Sequence, residues 1–123
     1  MDRPLVSFLI PTRNQTVMLR DSIGSIGRLA SGRHDYEIFL AVDSDDVDTL
    51  AIIPELRDFL PPNTLKVAIT APKGYARLHE YYNMLAQLSS GELLMLWNDD
   101  AKMESLTWDT YLHADYHDHH CFM

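Results

Sequence analysis

Apolar and polar residues alternate in blocks along this chain, and four short apolar runs stand out. They span residues 5–10, 38–42, 65–69 and 93–97, and polar or turn-forming residues follow each of them at once. Short, nearly continuous apolar runs with such boundaries are typical of strands that are buried on both faces of a parallel sheet. The pattern therefore predicts four parallel strands.

Helical spacing fills the gaps between the runs. The first predicted helix follows Asn14, a plausible N-cap, and carries apolar residues three or four positions apart: Leu19, Ile23, Ile26 and Ala30. The second begins after Asp46 or Asp48, and Pro54 inside its pattern predicts a kink or a restart.

Two more helices are predicted in the second half of the chain. One covers residues 75–88, with Gly91 closing it, and another runs from about residue 105 to residue 116. Strands and helices thus alternate, which predicts an α/β fold: an open, mostly parallel, Rossmann-like sheet with flanking helices. A length of 123 residues suits one domain spanning residues 1–123.

Composition and charge narrow the class of function. A formal net charge of -8 argues against binding nucleic acid or anionic membranes through broad electrostatic attraction. Cys121 is the only cysteine, so an internal disulfide is excluded and a reducing compartment is favoured. No apolar run approaches the roughly 20 residues of a membrane span, and the N-terminus lacks signal-peptide features. These features predict a soluble, cytoplasmic protein without a transmembrane segment.

The carboxyl ends of all four predicted strands are polar, and they meet at one edge of the sheet. Ligands of open parallel sheets bind beyond this edge. Asp99 and Asp100 arrive there side by side, and they repel one another unless a cation lies between them. Mg²⁺ or Mn²⁺, held by one or two carboxylates and by substrate phosphates, suits such a site. Lys73 and Arg77 would add positive charge for an anion, with simple surface solvation as their alternative.

The chain resembles the N-terminal, nucleotide-sugar-binding half of the inverting family 2 glycosyltransferases, which have the GT-A fold. The matching stretches are "VSFLIPTRNQTVMLRDSIGSI", "DYEIFLAVDSDD" and "YARLHEYYNMLAQLSSGELLMLWNDD", in that order, within residues 4–104. The last of them resembles the family's helix with an arginine and an asparagine six residues later, followed by a strand that runs into the metal-binding Asp-x-Asp motif.

The resemblance implies a donor site for a nucleoside-diphosphate sugar, with a UDP-sugar favoured. Pro11, Thr12 and Arg13 would border the base and the ribose. Asp43 would accept a hydrogen bond from the base, and Arg77 would face the base or the diphosphate.

The resemblance also implies a site for Mn²⁺ or Mg²⁺. Asp99 would contact the ribose or belong to the metal shell, and Asp100 would be the main protein ligand of the ion. Two positions depart from the family: Asn98 replaces the first aspartate of the motif, and Arg13 stands where many relatives carry an aromatic residue. A guanidinium group can also stack on a base.

A catalytic base is missing from the pattern. Relatives of this family take the base and most acceptor contacts from a C-terminal half, and Asp109, Asp115 and Asp118 match none of its motifs. The domain is therefore expected to lack the acceptor-binding half, and its catalytic residues stay unknown. A metal-dependent glycosyltransferase transferring sugar to an unknown acceptor is the first hypothesis, and a non-catalytic nucleotide-sugar binding module is the second. A nucleotidyltransferase is the third, disfavoured because "PTRNQT" contains no glycine.

A histidine-rich tail offers a separate metal hypothesis. His113 and His117 share a helical face, and His119, His120 and Cys121 follow them. A structural zinc site needs a better-defined ligand set, usually with a Cys-x-x-Cys pair. We therefore interpret the tail as surface histidines with no native metal site.

Overall fold

Four parallel strands alternate with four helices in the computed structural model, which describes residues 4–119 except for the side chains of Tyr75 and of residues 115–119. The strands are β1 (Val6–Thr12), β2 (Tyr36–Asp43), β3 (Leu65–Thr70) and β4 (Leu93–Leu96). The helices are α1 (Thr16–Leu29), α2 (Val47–Asp58), α3 (Leu78–Leu88) and α4 (Trp108–His119), and a 3-10 turn (Tyr75–Arg77) precedes α3. None of the helices within these residues is both long and apolar enough to cross a membrane.

The sheet has the strand order β3-β2-β1-β4, and every neighbouring pair is parallel. The prediction of an α/β fold with an open parallel sheet is confirmed. Chain order runs outward from β1 through β2 to β3 and then returns to the other side of β1 for β4. The strand order therefore reverses between β1 and β4, and a ligand site is expected beyond the carboxyl ends of these strands.

Two apolar layers hold the sheet between its helices. The larger layer joins β1 and β2 to α1, α2 and Trp108 of α4, and it contains Phe8, Ile23 and Leu40, none of which has measurable exposure. The smaller layer joins Leu9 to α3 on the opposite face. Burial of a side chain of this size contributes about 1.5–3 kcal/mol, so the two central strands anchor the fold.

The two edge strands depart from the sequence prediction. Burial alternates along β4, where Leu94 is 49% exposed and Leu96 63% exposed, and it alternates in part along β3. Burial on both faces is therefore confirmed for β1 and β2 and is wrong for the edges. The reason is that α3 packs on β1 and β2, which leaves the outward face of β4 uncovered in the described part of the chain.

Local signals at the first two helices are partly corrected. Gln15, not Asn14, precedes α1, and Asn14 adopts φ 52° while its backbone N–H donates to Asp46 Oδ2 over 2.9 Å. Asp46 caps α2 as expected, since its side chain accepts from the backbone N–H of Thr49. One helix continues through Pro54, so the predicted restart is wrong.

Gly91 does not close the third helix, which ends at Leu88. A Cβ atom at Gly91 would lie 2.5 Å from Ser7 Oγ, so the glycine permits close approach to β1. Beside it, the buried carboxylate of Glu37 accepts from Ser7 Oγ, the Ser90 backbone N–H and Lys66 Nζ over 2.6–2.8 Å. This network fixes the segment that leads into β4.

The fourth helix begins at Trp108, three residues later than predicted, and its first residues attach it to the sheet. The Trp108 indole N–H donates to the Ile26 carbonyl over 2.9 Å, and the buried Asp109 carboxylate accepts from the N–H and hydroxyl of Ser31. The His113 ring stacks on the His34 ring, with centroids 4.4 Å apart. The side chains of His117 and His119, as well as His120 and Cys121, lie outside the described residues.

Candidate functional site

A cleft of about 110 Å³ opens beyond the carboxyl ends of β1, β2 and β4, against the first turns of α3. This is the place where the strand order reverses. Ten residues line the cleft: Pro11, Thr12, Arg13, Asp43, Gly74, Leu78, Tyr81, Tyr82, Asn98 and Asp99. Apolar walls with a few polar groups converging on them are usual in small-molecule sites.

Asp43 forms the floor of the cleft at the end of β2 and is only 2% exposed. The Tyr81 hydroxyl donates to its Oδ1 over 2.5 Å, and Arg13 Nη1 donates to its Oδ2 over 2.6 Å. A buried carboxylate is costly unless it is paired and hydrogen-bonded, and both of its oxygens have such a partner here. The cleft therefore contains a stabilised negative charge.

Arg13 spans the rim between two acidic residues. Its Nη1 and Nη2 donate to the two carboxylate oxygens of Asp45 over 2.6 and 3.2 Å, and Nη1 also reaches Asp43. The hydrogen bonds that Arg13 donates to Asp45 and, to a smaller extent, to Asp43 raise the pKa of Arg13, and the contact with Arg13 lowers the pKa of Asp45. The Arg13 side chain is 43% exposed, so solvent screens its ion pairs with Asp43 and Asp45. A ligand could therefore replace Arg13 at Asp43.

Asp99 lies on the opposite wall, beyond β4. Thr12 Oγ1 donates to its Oδ2 over 2.9 Å, which ties it to the end of β1. Burial raises the pKa of Asp99, the Thr12 hydrogen bond opposes that rise, and the neighbouring negative charge of Asp100 adds to it. A cation near Asp99 would counteract both effects, because it favours the ionised carboxylate.

The oxygen ligands present suit a hard divalent cation only in part. No group of three or more His, Cys, Asp or Glu side chains among the described residues could hold a metal ion. The chain offers Asp99 in the cleft, the Asn98 side chain beside it and the adjacent Asp100. Asp99 and Asn98 would supply part of a Mg²⁺ or Mn²⁺ shell, since these ions commonly bind one or two carboxylates and complete their shell with phosphate oxygens and water.

Five of the predicted site residues come together in the cleft: Pro11, Thr12, Arg13, Asp43 and Asp99. Arg77 does not line it, because its guanidinium pairs with Glu80 one helical turn away. Asp100 is exposed and lines a second cleft along α1, beside Lys102. The ligand roles of all seven predicted residues stay predictions, and for Arg77 and Asp100 the structure does not show the expected position in this cleft.

Tyr81 is the site residue whose role the sequence did not reveal. Helical spacing puts Tyr81 or Tyr82 on the packed face of the third helix, and it predicts packing as the role of either ring. Tyr81 is buried, but its hydroxyl also meets Asp43. The sequence does contain an indication of this contact. A buried tyrosine hydroxyl needs a polar partner, and the neighbouring strand ends in an aspartate.

Comparison with known proteins finds similarity at the level of structure. No family model matches the sequence, and no curated protein does. Residues 1–349 of S. aureus TarS match with a TM-score of 0.77 and 21% identity, over 94% of this chain and 33% of that one. The same TarS fragment in complex with UDP-GlcNAc matches with a TM-score of 0.74.

A mannosyltransferase matches as well: PcManGT from Pyrobaculum calidifontis, in complex with GDP-Man and Mn²⁺. Its TM-score is 0.72 at 19% identity, over 93% of this chain and 32% of that one. The chain thus has the fold of the nucleotide-sugar-binding half of GT-A-type glycosyltransferases. It spans about a third of the length of the structures it matches.

Proposed function

We propose that this chain is the donor-binding domain of a metal-dependent glycosyltransferase, which transfers sugar from a nucleoside-diphosphate sugar to an acceptor of unknown identity. One observation carries the proposal: Asp43 and Asp99 face a common cleft where the strand order of a GT-A-type sheet reverses. Solved neighbours contain UDP, UDP-GlcNAc, or GDP-Man with Mn²⁺. We favour a UDP-sugar as the donor.

The base would bind between Asp43 and Arg13. Asp43 Oδ2 accepts from Arg13 Nη1, and a base N–H would take that hydrogen-bonding position. Arg13 would then remain with Asp45, where its planar guanidinium can stack on the base. Pro11 and Thr12 would border the ribose at the end of β1, on the same wall of the cleft.

The diphosphate would lie toward the loop after β4. Asp99, oriented by Thr12, and the exposed Asp100 would hold Mn²⁺ or Mg²⁺ between the protein and the phosphate oxygens. When bound, the ion supplies Lewis-acid stabilisation of the negative charge on the leaving diphosphate. Arg77 would approach the same phosphates if its pairing with Glu80 opens.

Acceptor binding and the catalytic base are assigned to no described residue. We propose that residues 1–123 form the donor half of a bipartite enzyme, in keeping with the third of each matched structure that the chain spans. A non-catalytic nucleotide-sugar binding module is the second candidate. It is favoured by the engagement of Asp43 and Asp99 in hydrogen bonds within the chain, since neither is poised to remove a proton from an acceptor hydroxyl.

Calorimetric titration with UDP and GDP, each with and without Mn²⁺, tests the proposal. We expect metal-dependent binding that Asp43→Asn weakens with or without the ion, whereas Asp99→Asn and Asp100→Ala weaken only its metal-dependent part. Asp58→Asn is the matched control, because this exposed carboxylate lies at the far end of α2. Absence of binding by either nucleotide refutes the proposal, as does metal-dependent binding that survives Asp100→Ala unchanged. Release of sugar from a bound UDP-sugar to added acceptors would separate the enzyme from the binding module.

A further inference from the structure

One buried hydroxyl connects three elements around the cleft. Tyr81, on α3, is 6% exposed, and its hydroxyl donates to Asp43 Oδ1 over 2.5 Å at the end of β2. The Tyr81 hydroxyl oxygen also accepts a hydrogen bond from the backbone N–H of Lys73 over 2.8 Å, in the loop that follows β3. Burial and the hydrogen bond to Asp43 raise the pKa of Tyr81, so the hydroxyl keeps its proton and remains a donor.

This contact makes the two oxygens of Asp43 unequal. Oδ1 is occupied from inside the fold by a side chain that packs in the apolar layer under α3. Oδ2 accepts only from the half-exposed Arg13 guanidinium among the described residues, and Asp45 also holds that guanidinium. A ligand N–H can therefore replace Arg13 at Oδ2, while Arg13 keeps its second carboxylate partner.

The hydroxyl also fixes one wall of the cleft. Lys73 is followed by Gly74, which lines the cleft and has φ 77°, a conformation that glycine adopts without strain. Because the Lys73 N–H is bonded to Tyr81, the loop that presents Gly74 is tied to the same hydroxyl as Asp43. Loss of that hydroxyl would release both the acceptor and the wall beside it.

We propose that Tyr81 is a positioning residue for base recognition, which holds Asp43 so that only Oδ2 faces the ligand. This inference rests on the proposed function and deepens it. A single anionic acceptor in a fixed orientation selects a base with an N–H donor at its pairing edge, as in uracil, over cytosine, whose ring N3 is an acceptor. Tyr81 touches no reacting atom and acts through Asp43.

Tyr81→Phe removes the hydroxyl and keeps the ring. We expect its affinity for UDP to fall about tenfold, the typical effect of losing a hydrogen bond to a charged group, while its weaker affinity for CDP changes little. Tyr36→Phe is the matched control, because Tyr36 is also buried but its hydroxyl has no hydrogen-bond partner among the described residues. Calorimetry at a fixed Mn²⁺ concentration measures both nucleotides with all three proteins.

NMR of the Lys73 backbone amide supplies a second readout. UDP should shift the Lys73 amide resonance more than CDP does, because that amide bonds to the hydroxyl that holds Asp43. In Tyr81→Phe the same amide should exchange faster with solvent.

Three outcomes would overturn the inference. If wild-type protein binds UDP and Tyr81→Phe binds it equally well, the positioning role is wrong while the proposed function stands. Equal losses of UDP and CDP affinity would indicate general loosening of the fold and would also exclude selective positioning. If the wild-type protein binds no nucleotide, the proposed function fails and the inference falls with it.

Discussion

The buried carboxylate of Glu37 offers the sharpest test of how this fold is held together. Glu37 is 1% exposed and lies at the start of β2, at the end of the sheet opposite the cleft. Four donor groups converge on its two oxygens: Ser7 Oγ, the N–H and hydroxyl of Ser90, and Lys66 Nζ. Glu37→Gln keeps the shape of the side chain, removes the charge and leaves one oxygen to accept where there were two.

The expected cost follows from those contacts. A hydrogen bond to a charged acceptor contributes about 1.5–3 kcal/mol, and the half-exposed Lys66 adds little because solvent screens it. The remaining oxygen can still accept from one or two donors, so we expect a loss of about 2–3 kcal/mol at pH 7. Urea unfolding measures it as a lower midpoint at an unchanged slope. Glu55→Gln, which removes a carboxylate from the surface pair with Arg20, should leave the midpoint unchanged.

The pH dependence gives the same prediction a second, independent check. Burial alone would raise the pKa of Glu37, but hydrogen bonds from Lys66, Ser7 and Ser90 outweigh it and lower the pKa below the ordinary value of a glutamate. Its stabilising contribution is therefore present above that value and is lost as the pH falls through the lowered pKa. The difference between wild type and Glu37→Gln should shrink in acid. A difference below about 1 kcal/mol at pH 7, or one that stays constant from neutral pH into acid, would refute the reasoning.

Three further predictions use other features of the structure. Gly27→Ala should lower the free energy of unfolding, measured with urea, by about 1–3 kcal/mol, because its Cβ would lie 2.6 Å from the Phe59 carbonyl oxygen. Gly24→Ala, whose Cβ would lie 3.9 Å from the Phe59 ring, should not lower it, and equal effects of the two changes would contradict this. Asp109→Asn should speed amide exchange across α4, since it weakens both contacts to Ser31; unchanged exchange would contradict it. Chelation of divalent cations should weaken UDP binding at least about tenfold in calorimetry, and equal affinity after chelation would exclude a metal at the donor site.

The alternation of strands and helices could be predicted from the sequence, because it depends on local patterns. Residues 6–10 and 38–42 are apolar nearly throughout, and they are the strands that lie buried between helices. Residues 93–97 have the same local appearance, yet β4 is an edge strand with exposed leucines. The difference is set by strand order and by where α3 packs, and neither can be read from a run of five residues.

The predictions of helix and turn boundaries were wrong where a residue distant in sequence determines the local conformation. Asn14 has a side chain suited to an N-cap, but Asp46 of the next loop captures its backbone N–H, and Gln15 takes the cap position instead. Gly91 has the appearance of a helix stop, but its role is close approach to Ser7, which lies 84 positions away. Such contacts depend on the tertiary fold, so the spacing of residues could not reveal them.

The acidic turn after β2 shows the limit of prediction at the site itself. Asp43, Asp45 and Asp46 lie within four residues, and the sequence gives no physical basis for ranking them as ligands. Burial separates their roles: Asp43 points into the cleft toward Tyr81, Asp45 holds Arg13 at the rim, and Asp46 caps α2. The resemblance selected Asp43, but only the fold shows that buried Tyr81 holds its Oδ1 while half-exposed Arg13 meets its Oδ2 at the rim. Of the three carboxylates in this turn, we therefore expect a ligand to meet a single acceptor, Oδ2 of Asp43. This oxygen lies in the same cleft as Asp99, where we propose the cation site.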